Sequence, residues 1–193
     1  MESIDFILKG IMTTYLERVG DVRKIISNML INNLIDDKGE IQNDHIAFRT
    51  IRYKNLGIKS LEKIFLYYGY SKRDSFDFKN KKLNAYWYSP PHEKYPRVFI
   101  SELRIKELST PTYQIIKKYL TNINQDPVED LDLTNLKEVV NFFHDPLWKL
   151  PTFMDYKTLL KESEYAAWVI YNRYYLNHYT MSIHKLNKKN NLE

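Results

Sequence analysis

Cysteine is absent from the 193 residues of this chain, and only five glycines occur, at positions 10, 20, 39, 57 and 69. Without cysteine there are no disulfides, thiolate metal sites, iron–sulfur clusters or cysteine nucleophiles, and the absence fits a reducing compartment. A dinucleotide-binding fingerprint, a P-loop and a G-x-S-x-G nucleophile elbow all need clustered glycines, and no two of these five lie close together. Long apolar runs are also missing: none approaches the ~20 residues of a spanning helix. Residues 1–5 lack the basic start and small-residue cleavage site of a signal peptide. The expectation is a soluble, cytoplasmic protein with no membrane partner. What remains available is chemistry by His, Asp/Glu, Arg, Lys, Ser/Thr and Tyr.

An excess of one charge is lacking too. There are 29 basic and 24 acidic side chains, a formal net charge of +5. Lys and Arg are scattered, apart from the stretches 79–82 and 185–189, so the stripe of a nucleic-acid binder is not evident. The sixteen tyrosines would serve, with lysines, as stacking platforms for single strands. Their plainer use is as amphipathic filler of core and rim, and no nucleic-acid partner is expected. The length suffices for a substantial core, in one domain or in two small ones sharing an interior.

Apolar residues from Ile4 to Leu30 recur at helical spacing, with Gly20 as a candidate break between two helices. Asp36, Asp37, Lys38 and Gly39 predict a turn. The period then changes: His45 to Tyr53 is rich in β-branched and aromatic residues and predicts a strand. Residues 58–68 predict a helix capped by Ser60 or the preceding turn, with Gly69 just past its end. Strands are predicted over 75–78, 83–88 and 97–103, interrupted by the loop Ser89-Pro90-Pro91. Helices are predicted over 111–120, 136–143 and 156–169, and a further strand over 176–186. The resulting division is an N-terminal helical segment (1–40), a strand–helix–strand–strand–strand module (41–120), a helical insertion (121–170) and the first strand of a second module (171–193).

The most informative segment is Asn43-Asp44-His45-Ile46-Ala47-Phe48-Arg49. On a strand, His45 and Arg49 share a face, with Cα atoms roughly 13 Å apart at ~3.3 Å per residue. Ala47 between them leaves room for a small acid, with a metal on the histidine and a carboxylate on the guanidinium. The plain alternative is a satisfied strand histidine and a surface arginine. Asn177-His178-Tyr179-Thr180 opens a second strand in a similar context, which hints at a duplicated module donating one imidazole per copy. Glu102, in Ser101-Glu102-Leu103, is a candidate carboxylate beside His45, either as a ligand or as a group that orients one; an exposed strand carboxylate paired with Lys or Arg is the alternative. His92 and His144 read as surface or capping residues, and His184 lies too far along its strand to join His178.

Four motifs in this order, Asp44–Thr50, Ser101–Leu103, Ser163-Glu164-Tyr165-Ala166-Ala167-Trp168 and Asn177–Thr180, resemble the 2-oxoadipate dioxygenase/decarboxylase family of the hydroxyglutarate synthase type. The resemblance runs from about residue 5 to the end. It implies an α+β, vicinal-oxygen-chelate-like fold of βαβββ modules with helical additions. It also implies a mononuclear Fe(II) held by two His and one Glu, with His45 and His178 as the imidazole ligands and Arg49 as the substrate-binding, catalytic arginine. The implied reaction takes 2-oxoadipate and O2 to 2-hydroxyglutarate and CO2 in lysine catabolism.

The family's carboxylate ligand lies well downstream of the second histidine motif, whereas this sequence ends at Glu193. The expectation is a portion of a longer protein or a short relative with an incomplete site. In the second case Glu102 is the internal substitute; Glu193, in a polar tail, is not nominated. Two other classes stay open: a lyase or isomerase of the same superfamily using another divalent metal, and a non-catalytic binding module.

Overall fold

The computed structural model describes residues 2–37, 41 and 43–186. Two helices open the chain, α1 (Glu2–Arg18) and α2 (Gly20–Ile31), separated at Val19 as the position of Gly20 predicts. The predicted turn at 36–39 falls partly on residues outside those described. Then follow β1 (Asn43–Ile51), α3 (Ile58–Tyr67), β2 (Ser71–Phe78), β3 (Leu83–Ser89) and β4 (Arg97–Leu103). Four further helices come next: α4 (Thr110–Leu120), α5 (Leu136–Phe142), α6 (Phe153–Glu162) and α7 (Glu164–Asn172). The last strand among the described residues is β5 (Leu176–Met181).

The five strands form one sheet in the order β2-β3-β4-β1-β5. β1 runs parallel to β4, and the other pairings are antiparallel. The fold is therefore α+β, a βαβββ module whose first strand is flanked on its other side by β5. This order places β1 between β4 and β5, so a side chain on β1 has neighbours from both directions.

Alternation along β1 divides its residues between two environments. Ile46 and Phe48 point into a helical layer, where the Phe48 ring lies 5.4 Å from Phe65 of α3 and 5.2 Å from Phe143 just after α5. Ile4, Ile7, Leu8 and Ile11, spaced to line one face of α1, join the same buried cluster. The insertion helices add to this core rather than building another: Val139, Phe142, Trp148 and Leu159 belong to it. His45, Ala47 and Arg49 project from the opposite face.

Three local readings need correction. The helix predicted over 156–169 is two helices, because Ser163 is extended (φ −148°, ψ 107°) and its side chain caps α7 by accepting from the backbone N of Ala166. The strand predicted to reach Leu186 ends at Met181, and a short 3₁₀ turn follows. Ser60 does not cap α3. Its hydroxyl donates instead to Asp126 at 2.5 Å. Gly69 does end α3 in the left-handed region (φ 88°), with the N–H of Tyr70 reaching back to the carbonyl of Phe65.

Candidate active site

The open face of the sheet floors a cavity of about 590 Å³. His45, Ala47 and Arg49 enter it from β1, Phe99 and Ser101 from β4, Ala85 from β3 and His178 from β5. The β2–β3 turn closes one side with Lys81 and Lys82, and the α6–α7 junction closes another with Glu162 to Tyr165. Two of the sequence candidates thus meet through strand pairing: Ala47 lies opposite His178 in the β1–β5 ladder. The two imidazole rings come to 5.6 Å between centroids, with planes at 79°.

Each ring is held through the same nitrogen. His45 Nδ1 lies 3.0 Å from Asp44 Oδ2 and 2.9 Å from Thr180 Oγ1. His178 Nδ1 lies 2.8 Å from Asn177 Oδ1. A carboxylate oxygen and an amide oxygen only accept, so both Nδ1 atoms carry the proton and both Nε2 lone pairs stay free. That is the arrangement in which imidazoles ligate a metal, with the far nitrogen fixed by a neighbouring acceptor. Burial, with the Arg49 charge acting in the same direction, holds the His178 pKa below its usual value, which favours the neutral, ligating form.

The donor set fits a divalent metal only in part. Among the described residues, no group of three or more His, Cys, Asp or Glu side chains stands ready to hold an ion. Glu102, nominated from the sequence as the carboxylate beside His45, faces the other way. Thr50 pairs with Glu102 and Arg49 with Ser101 in the parallel ladder, so Ser101 occupies the site face. The Glu102 carboxylate accepts from the backbone N of Ile58 at 3.1 Å and from Asn84 Nδ2 at 3.2 Å, which makes it the missing cap of α3. The described part of His184 does not include its side chain.

Arg49 is held by groups to which the sequence reading assigned no role. Its Nη1 donates to Glu164 Oε1 and Oε2 at 2.9 and 3.1 Å. Its guanidinium carbon lies 4.9 Å from the Tyr165 ring centroid and 5.1 Å from that of Trp168. Tyr165 is itself fixed, since its hydroxyl accepts from the N–H of Thr50 at 3.1 Å and lies 2.9 Å from Ser101 Oγ. All three α7 residues sit in the motif 163–168, and a serine cap ahead of an acid was the available signal for a helix start there.

Glu162 is anchored differently. It accepts from the backbone N of Ser109 at 2.8 Å and from Ser109 Oγ at 2.5 Å; the Ser109 hydroxyl foremost, then the Thr112 side chain and the Ser109 backbone, lower its pKa to about 2. Because the folded pKa lies below the ordinary 4.5, the stabilisation is present above pH ~4.5 and fades as the pH falls toward 2. Glu162→Gln is expected to cost about 1 kcal/mol at neutral pH, discounted for partial exposure. In urea unfolding at a series of pH values, the gap to wild type should close between about pH 5 and pH 2. A gap that stays constant would remove the charged carboxylate from the explanation.

Known proteins match this chain over most of its length. The family profile described as 2-oxoadipate dioxygenase/decarboxylase matches residues 7–192. An Arabidopsis thaliana protein named chloroplastic 2-oxoadipate dioxygenase/decarboxylase is 35% identical over 191 residues, covering 93% of this chain and 48% of its own length. A rice protein of the same activity, named chloroplastic/amyloplastic, is 38% identical over 160 residues, covering 78% of this chain and 42% of its own. The crystal structure of rice hydroxyglutarate synthase in complex with 2-oxoadipate superposes with a TM-score of 0.80 at 33% identity, over 95% of this chain and 58% of that one. The chain thus spans about half the length of the curated relatives it matches.

Proposed function

Because the chain belongs to the 2-oxoadipate dioxygenase/decarboxylase family, we propose that it serves the Fe(II)-dependent conversion of 2-oxoadipate and O2 to 2-hydroxyglutarate and CO2 in lysine catabolism. The observation that carries this reading is the His45–His178 pair and Arg49 in one cavity, on one face of one sheet. A 2-oxo dicarboxylic acid has two unlike ends, and the cavity offers two unlike receptors. When bound, iron supplies the affinity for the 2-oxo acid end and the redox chemistry, with His45 and His178 as its imidazole donors.

The protein's own groups do the rest. Arg49 takes the distal carboxylate and sets how far the reacting end reaches along β1. Ala47, between the two receptors, keeps the floor low enough for a short acid to lie across it. Phe99, Ala85 and Leu83 line the cavity with apolar surface and limit water around the chain of the acid. The reactants are small and soluble, and among the described residues no helix is long and apolar enough to cross a membrane. A cytoplasmic site of action is consistent with both.

A second reading, a non-catalytic module that binds a small dicarboxylate, is favoured by the lack of a third ligand among the described residues. One assay separates them. Protein loaded anaerobically with Fe(II) should consume O2 and release CO2 in equal amounts when given 2-oxoadipate. Binding of the acid without gas exchange would leave the binding module standing. Arg49→Lys, which loses the planar two-nitrogen fork, is expected to lower kcat/KM for 2-oxoadipate by about 10–100-fold, with a much smaller loss for the neutral-tailed 2-oxohexanoate. Equal losses for the two acids would remove the carboxylate role from Arg49.

A further inference from the structure

Two ion pairs line one wall of the cavity, and their acids flank the break between α6 and α7. Lys82 Nζ stands 3.7 Å from Glu162 Oε1, and Arg49 Nη1 stands 2.9 Å from Glu164 Oε1. The two carboxylates are secured very differently. Glu162 is tied to the backbone and hydroxyl of Ser109. Glu164 hydrogen-bonds to Arg49, and its side chain is 63% exposed.

The Arg49–Glu164 contact is also incomplete. Both carboxylate oxygens reach the same nitrogen, Nη1, so the two-nitrogen fork that gives arginine–carboxylate pairs their strength is not engaged. Arg49 keeps its place by other means, against the Tyr165 and Trp168 rings, with its side chain only 22% exposed. A cation so placed needs a counter-charge when no ligand is bound. An exposed acid held at one nitrogen supplies that charge and can leave.

We propose that Glu164 is a displaceable stand-in for the ligand's carboxylate, and thereby a specificity-determining residue of the Arg49 subsite. This rests on the reading of Arg49 as a carboxylate receptor given above. An entering carboxylate takes the guanidinium fork, and the Glu164 side chain rotates into the solvent it already faces. Displacement sets a threshold. A planar carboxylate that engages two nitrogens more than replaces what Glu164 gives up, whereas a neutral tail or a single-point anion does not. Glu164 therefore lowers affinity for the right ligand while keeping the subsite closed to weaker ones.

Glutarate is the probe, because it offers a carboxylate tail without a 2-oxo group and so reports the arginine subsite rather than the metal. Its Kd is measured by calorimetry for wild type, Glu164→Gln, Arg49→Met and the double variant, each first shown to be folded by circular dichroism. Loss of the competing acid is expected to tighten glutarate about fivefold in Glu164→Gln, matching the small worth of an exposed ion pair. Arg49→Met should remove binding in either background. An unchanged or weaker Kd in Glu164→Gln, with binding still dependent on Arg49, would overturn the stand-in role alone and make Glu164 a support for Arg49. Binding that ignores Arg49, or no binding in any of the four proteins, would overturn the carboxylate subsite and the stand-in role together.

Discussion

His45→Ala and His178→Ala are each expected to abolish stoichiometric Fe(II) uptake, weakening the metal by at least ~100-fold. With His45 and His178 as the proposed imidazole donors, removal of either leaves a single ring nitrogen to compete with a shell of water. Asn177→Ala should fall between these variants and wild type, because it frees the His178 ring to turn without removing a donor. The measurement is metal content by elemental analysis after desalting, together with titration of the metal-free protein with Fe(II) under nitrogen. Glu102→Gln belongs in the same series as the contrary case. Its carboxylate faces α3 and touches the backbone N of Ile58, so metal content should be unchanged. Metal lost from Glu102→Gln and retained in His178→Ala would invert the site assignment.

The contrast between those histidines and Glu102 shows which part of the site was legible in the sequence. His45, Ala47 and Arg49 share a face because they are alternate residues of one strand, and a local run of β-branched and aromatic residues declares that strand. Whether Ser101 or Glu102 stands beside Arg49 depends on the register between β1 and β4. That register is set by packing across about fifty residues of chain, and a slip of one residue exchanges the two faces. The same limit hid Glu164. Its motif was visible, but its contact with Arg49 spans 115 positions and depends on Ser163 breaking a helix whose apolar periodicity runs on through it. Local chemistry of this kind is readable once expected: Ser163 is a good helix cap. The capping of α3 by Glu102 was not readable, because the capping side chain comes from a strand 44 positions away.

That distant cap makes Gly57 a sensitive position outside the cavity. Gly57 precedes α3 with φ 112° and ψ −162°, a conformation that essentially only glycine adopts. A Cβ there would lie 2.6 Å from Glu102 Oε2 and 3.3 Å from the carbonyl oxygen of Ile51. Gly57→Ala therefore incurs backbone strain and pushes a largely buried carboxylate off the backbone N of Ile58. The two effects together are expected to cost about 3–5 kcal/mol. Against a total stability of ~5–15 kcal/mol, this should lower Tm by about 10–15 °C in a protein of this length. Gly20→Ala is the matched control: it starts α2 with only Arg23 Nη2 within 4 Å of an added Cβ, at 3.8 Å, and should change Tm by no more than ~2 °C. The Glu102 share can be separated by a double-mutant cycle in thermal unfolding. If the collision matters, Gly57→Ala should cost less in a Glu102→Ala background than alone. Equal costs in both backgrounds would assign the whole effect to backbone strain and release Glu102 from its place as the cap of α3.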